Sequence, residues 1–250
     1  RQSVMVQPQP VQHHIGDVPP GIAHVGFIFR QNSALMGQKT VGHGQQQGVF
    51  AKQRPEAVFF GGGTPSVLNT AQISALLNKI HSAASLADDC EVTFESSIYD
   101  LSADKLAACI AGGVNRFSFG VQAFDTHLRR SLGRLNTKEE VTAKLEEVAA
   151  KDVKVIIDLI YGLNGQTQTM LLDDIRTALA CGVSGMDLYK LQIMPKSPLG
   201  QAIAKGNIKY EYNDRILAEM FVAADALLAE QGAKALSCCH WMNAAATTRW

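Results

Sequence analysis

A repeated alternation limits most strongly what this chain can fold into. From residue 54 onward, short runs rich in Val, Ile and Phe alternate five or six times with stretches of helical periodicity, mostly through short connections. Strands that alternate with helices in this way lie parallel, with the helices packed outside them. An open doubly wound sheet and a βα barrel both satisfy the pattern. In both, ligands gather at the C-terminal ends of the strands.

The pattern predicts strands at 57–60, 91–95, 116–121, 153–160 and 186–193, and a last one near 235–238. Helices are predicted over about 70–86, 102–112, 125–131, 137–150, 167–181 and 213–231. Ser102 reads as an N-cap, Gly112-Gly113 as a stop, and Thr137-Lys138-Glu139-Glu140 as a capping box. Polar residues then fall at successive strand ends: Gly61 to Thr64, Glu95, Gln122, Asp158 and Tyr189. One such residue is often only a cap or a core hydrogen bond. Five strands in succession point to one shared site.

The first strand runs into Phe59-Phe60-Gly61-Gly62-Gly63-Thr64-Pro65-Ser66. Glycines without a Cβ let a ligand approach the main chain closely. Their N–H groups can also converge on a carboxylate or phosphate. The alternative is a tight strand-to-helix turn with no ligand.

Composition excludes several classes. The 250 residues are 46% hydrophobic with zero formal net charge, enough for a full core and with no basic field for nucleic acid. No apolar run reaches membrane-spanning length and no signal pattern opens the chain, so a cytoplasmic protein is expected. The five cysteines, Cys90, Cys109, Cys181, Cys238 and Cys239, form no CxxC or CxxxC pair. They fit a reduced setting. Neighbours on a strand point to opposite faces, so Cys238-Cys239 is a poor chelate.

Residues 1–53 differ from the rest. They hold ten glutamines and four histidines but only five charged residues, interrupted by Pro and Gly. An irregular, loosely packed arm is expected, with 22–29 as its one candidate strand and His13-His14 as solvated side chains. The start at Arg1 and the odd composition lead us to expect a fragment or a misread stretch.

The assembled motifs resemble the radical S-adenosylmethionine (SAM) superfamily, in its oxygen-independent coproporphyrinogen III oxidase branch. They are Phe59 to Ser66, Glu91-Val92-Thr93-Phe94-Glu95, Gly113 to Phe124, Leu132-Gly133-Arg134 and Asp158-Leu159-Ile160-Tyr161-Gly162-Leu163, extended by Gly165-Gln166-Thr167. Asp187-Leu188-Tyr189-Lys190-Leu191 and Met194 to Leu199 are similar to the anaerobic haem-utilisation enzymes, which are haem-degrading methyltransferases. Haem chaperones are the next relatives.

The resemblance implies a partial (βα)6 TIM-like barrel over 54–240, followed by a truncated tail at 241–250. It implies that Gly62, Gly63 and Thr64 meet the methionyl end of SAM and that Glu95 pairs with its cationic part. Gln122 is then set to bond the amino acid or ribose, Arg134 the carboxylate and Asp158 the ribose hydroxyls. The other reading of Arg134 and Asp158 is an internal ion pair. Of Tyr189 and Lys190 only one can face the interior, and Tyr189 is the substrate-side candidate. A tetrapyrrole such as haem is the implied substrate, with flavodoxin or ferredoxin as electron donor.

Family chemistry also requires a [4Fe–4S] cluster held by CxxxCxxC upstream of the Gly-rich turn, which reduces SAM to a 5′-deoxyadenosyl radical. No such motif occurs in these residues. An inactive fragment is therefore expected. Two further readings stay open: a cluster-free SAM- or haem-binding module with His240 beside Cys239, and an unrelated βα barrel that binds phosphate.

Overall fold

Each predicted alternation resolves into a strand followed by a helix. The computed structural model describes residues 54–243 and the backbone of two earlier strands, β1 (Gly26–Gln31) and β2 (Ala34–Thr40). The strands β3 (Ala57–Gly61), β4 (Glu91–Ser96), β5 (Arg116–Gln122), β6 (Lys154–Tyr161) and β7 (Gly185–Lys190) run parallel, each beside the next. Between them lie α1 (Thr70–Ala83), α2 (Ala103–Ala111), α3 (Thr126–Ser131), α4 (Lys138–Ala149) and α5 (Gln168–Ala180). After β7 come α6 (Pro198–Ala204), α7 (Asp214–Glu230), β8 (Lys234–Ala235) and β9 (His240–Met242).

Local chemistry explains the helix starts. Asn69 and Gln72 form a reciprocal capping box on α1, and Thr137 and Glu140 do the same on α4. Ser102, Asp125 and Asn213 cap α2, α3 and α7 with single side-chain acceptors. Sequence reading passed over α6. Its signal was present, because Ser197 caps it and Pro198 takes the first helical position.

One face of the sheet carries the core. Val58 and Phe60 of β3, Phe94 of β4, Phe117 and Phe119 of β5, Val155 and Ile157 of β6 and Leu188 of β7 form one buried cluster. The same cluster takes Ile73 and Leu77 of α1, Leu106 of α2, Leu145 of α4, Ile175 of α5 and Leu228 of α7. Phe60, Phe94 and Phe117 make an aromatic ladder across three strands, tilted and then edge-to-face, at centroid distances of 6.0 and 6.4 Å. Ile156 and Met242, on the opposite face, are buried but stand apart from that cluster. All the packed helices therefore cover a single face, which rules out a doubly wound sheet and leaves the expected partial barrel.

The inner face is polar. Glu91, Thr93 and Glu95 alternate along β4, Arg116, Ser118 and Gly120 along β5, and Asp158 and Asp187 lie on β6 and β7. At the N-terminal end of the strands, buried Glu91 stands 3.8 Å from Arg116 Nε and 3.7 Å from Lys154 Nζ. Arg116 Nη1 also donates to Thr93 Oγ1 at 3.2 Å. This charged layer closes the floor. The ligand end is the other one.

The edges depart from expectation. The strand expected at 22–29 is found at Gly26–Gln31, pairing antiparallel with β3 and with β2, which was not anticipated. Tyr189 and Lys190 close β7 three residues before its expected end. The strand expected at 235–238 is replaced by a hairpin of β8 and β9. Ser237 Oγ accepts the N–H groups of Cys239 and His240, which turns the chain where an extended run was expected. The remainder of 1–53, with His13-His14, and the tail beyond 243 lie outside the described residues.

Candidate ligand site at the strand ends

The Gly-rich turn leaves β3 with Gly62 at φ 80° and Gly63 at φ 137°, conformations that a side chain strains. A methyl group on Gly61 runs into the Phe59 ring and lies 2.6 Å from Glu95 Oε2. The Gly62 N–H donates to that same oxygen at 3.3 Å. Burial raises the Glu95 carboxyl above its ordinary range, with the Gly62 N–H working against it. Thr64 precedes the short 3-10 turn Pro65–Val67, and its side chain makes no capping bond. Ser66 ties the turn to the neighbouring loop, accepting from the Ser97 N–H at 3.2 Å.

Across β5 the wall is built around a close approach at Gly120. Gln122 has φ 72°, the only positive value outside glycine among the described residues, at a bulge in the β5–β6 register. A side chain on Gly120 meets Gln122 Nε2 at 2.9 Å, Arg134 Nη2 at 3.6 Å and Asp158 Oδ2 at 3.9 Å. Three of the sequence candidates thus converge on Gly120, where a side chain would collide with the Gln122 amide. Among the described residues Arg134 makes no ion pair within 4.0 Å, so the reading of Arg134 and Asp158 as an internal salt bridge fails. Burial lowers the Arg134 pKa, and the Asp158 charge opposes the shift. Burial, then the charges of Asp187 and Glu95, raise Asp158 to about 7, against Arg116 and Arg134.

The far wall is β7 and β9. Asp187 pairs in register with Asp158 on one side and with His240 on the other. His240 Nδ1 lies 2.8 Å from Asp187 Oδ1. Tyr189 follows two residues along the same face and is 43% exposed. Lys190 lies 3.7 Å from Asp214 of α7, on the outer side. Burial and then the Asp187 and Asp158 charges raise the Tyr189 phenol.

Sequence reasoning gave no role to the residues that hold this mouth in shape. Arg129 is buried, and its guanidinium donates to the carbonyls of Val121, Ala123 and Asn136, each at 2.8 Å. It fixes the strand end that carries Gln122 to the loop that carries Arg134. Gln166 Oε1 accepts from Gly162 and Leu163, and its Nε2 donates to Ile160, closing the turn after Asp158. Asp174 Oδ1 accepts the Phe124 N–H from across the helix layer. An Arg or Gln beside a motif gives no hint that it serves backbone carbonyls. Outside Arg134, a cavity of about 240 Å³ opens between Ser97, Tyr99, Leu135 and Asn136.

No described residues suit an iron–sulfur cluster. Cys90, Cys109 and Cys181 are buried, and burial raises the first two thiols to about 11 and about 12, far from thiolate ligands. Among the described residues no three His, Cys, Asp or Glu side chains converge as a metal site. Bound SAM is a different matter. The convergence of Gln122, Arg134 and Asp158 on Gly120, with a guanidinium that makes no ion pair among the described residues and lies near half-buried carboxylates, suits a zwitterionic cation with ribose hydroxyls.

Fold and site together define a class: a partial βα barrel with a glycine-lined, carboxylate-rich ligand mouth. Residues 45–178 match the family model described as the radical SAM superfamily. The chain belongs to that superfamily. It is 35% identical over 151 residues to "Anaerobilin synthase" of Escherichia coli O157:H7, covering 60% of this chain and 34% of that one. It is 34% identical over 157 residues to "Heme chaperone HemW" of Bacillus subtilis (strain 168), covering 61% and 41%. Among solved structures it resembles coproporphyrinogen III oxidase (HemN) from Escherichia coli, with a TM-score of 0.71 and 25% identity. That match covers 80% of this chain and 46% of HemN. The chain thus spans a third to a half of the length of these relatives.

Proposed function

We propose that this chain is a SAM-binding barrel from a protein that handles haem or a related tetrapyrrole. The observation that carries the reading is the convergence of Gln122, Arg134 and Asp158 on Gly120. Arg134 presents a planar fork to the methionyl carboxylate. Glu95, turned toward Gly62, faces the cationic part, and Asp158 accepts from ribose hydroxyls. Gly62, Gly63 and Thr64 let the ligand lie against the main chain. When bound, SAM supplies an electrophilic methyl group and a cleavable sulfonium bond.

The residues present do not hold the cluster that reductive cleavage requires. We therefore assign no radical step to them, and we expect the chain to be inactive in that reaction. An electron-donor partner belongs only to a chain that carries the cluster.

The tetrapyrrole part of the reading is supported by the names of three relatives, which concern anaerobilin, haem and coproporphyrinogen. Among these, the run from Asp187 to Leu191 with Met194 to Leu199 favours haem utilisation, with Tyr189 on the substrate side. A haem-chaperone-like binding role is the second reading, supported by the HemW matches.

Calorimetry with SAM tests the site. Arg134→Ala and Asp158→Ala should each weaken binding by about tenfold or more, equivalent to about 1.4 kcal/mol. Unchanged affinity in both variants overturns the assignment. Titration of the Soret band with haem and with coproporphyrin tests the second ligand, and a flat response to both removes it.

A further inference from the structure

Asp158, Asp187 and His240 lie at one level on three neighbouring strands, in register across β6, β7 and β9. Only the last contact is a bonded one, His240 Nδ1 to Asp187 Oδ1 at 2.8 Å. The main chain that carries the imidazole is held from behind. Ser237 Oγ accepts its backbone N–H at 3.2 Å, and the Leu188 N–H is held by the Cys239 carbonyl at 2.8 Å. Its other ring nitrogen, Nε2, is buried with no hydrogen-bond partner among the described residues. Among the described residues the ring's one hydrogen bond is thus to Asp187.

The surrounding charges make that contact matter. Glu95 faces the row from β4, Arg116 from β5, and Arg134 from the loop after α3. Tyr189 faces it from β7, and Cys238 and Cys239 from the turn before β9. Arg116 is turned toward Glu91 and Thr93 at the floor. Arg134 lies at the opposite end of the row, beside Gly120. His240 is the basic group in contact with Asp187.

We propose that His240 is a positioning residue for the ligand site. By pairing with Asp187 it limits how strongly that charge acts on Asp158, so that more of the Asp158 carboxylate is ionised to accept ligand hydroxyls. The ligand part of this statement rests on the SAM-binding reading. The electrostatic part does not.

The test uses the whole chain with its aspartate carboxyl carbons labelled, followed by NMR as pH is raised without ligand. Asp158→Asn and Asp187→Asn assign the signals. In His240→Ala the Asp158 step should move up by about one pH unit, because the Asp187 charge then acts on it without its partner. In Asp187→Asn the Asp158 step should move down, and adding His240→Ala to that variant should change nothing further. A step that stays put in both His240→Ala and Asp187→Asn overturns the proposal. His240→Gln, which can still bond Asp187, should fall between the wild type and the alanine variant, and it serves if the alanine variant does not fold.

SAM affinity supplies the second readout. His240→Ala should weaken it several-fold near neutral pH and regain it in alkali, whereas a merely structural role lowers it at every pH. If the wild type binds no SAM at all, the function reading fails, and the carboxyl titration still decides the role of His240.

Discussion

Asp158 is where burial and function pull against each other. Its carboxylate sits on a barrel wall with Asp187 beside it and Glu95 near, and it has no salt bridge among the described residues. Burial and those charges raise it from the ordinary value near 3.8 to about 7. Asp174, raised by burial to about the same value, adds to the effect. Between those values the native state holds protons that the unfolded chain has lost. The stabilisation is thus complete below the unfolded value and disappears as pH rises through about 7. Asp158→Asn should consequently exceed the wild type in stability by about 1–3 kcal/mol above neutral pH, with little difference near pH 3. Urea midpoints at the two pH values, at unchanged slope, check this. An equal gap at both would contradict it. The place of Asp158 within a Val- and Ile-rich strand was legible in the sequence, although it lies three residues before the end of β6. Its pKa was not, because Asp187 and Glu95 reach it only through the folding of the sheet.

At the scale of elements, caps and apolar runs made most of the fold readable. Ser102, Thr137 and Thr167 stand at the starts of α2, α4 and α5, and the Val- and Ile-rich run of β6 lies within one residue of its expected bounds. Elements set by long-range pairing were not readable. β2 has a mixed sequence, Ala-Leu-Met-Gly-Gln-Lys-Thr, and β9 is only three residues long, so each owes its place to a neighbouring strand. Arg129 is the element-scale counterpart of Asp158, a charge used to bind three carbonyls of two loops. Arg129→Met should cost about 2–4 kcal/mol, since three acceptors lose a charged donor. Hydrogen exchange at 121–136 should then quicken more than in α7. Uniform acceleration across the chain would assign Arg129 to global stability alone.

For the whole molecule, the decisive asymmetry lies between the two faces of the sheet. The outer face is an aromatic and aliphatic core under helices, and the inner face holds a floor of Glu91, Arg116 and Lys154 below a mouth of Gly62, Glu95, Gln122, Arg134 and Asp158. That layout follows from period-two alternation within each strand, which is why the site was visible before the fold. No helix among the described residues is long and apolar enough to cross a membrane. The central claim is that this mouth takes SAM and not a simple phosphate. Equilibrium dialysis with labelled SAM, with and without excess inorganic phosphate, tests it most directly. The account predicts saturable retention of one SAM per chain that phosphate does not displace. No retention, or SAM displaced by phosphate, would contradict it and give the Gly-rich turn to a phosphate-binding barrel.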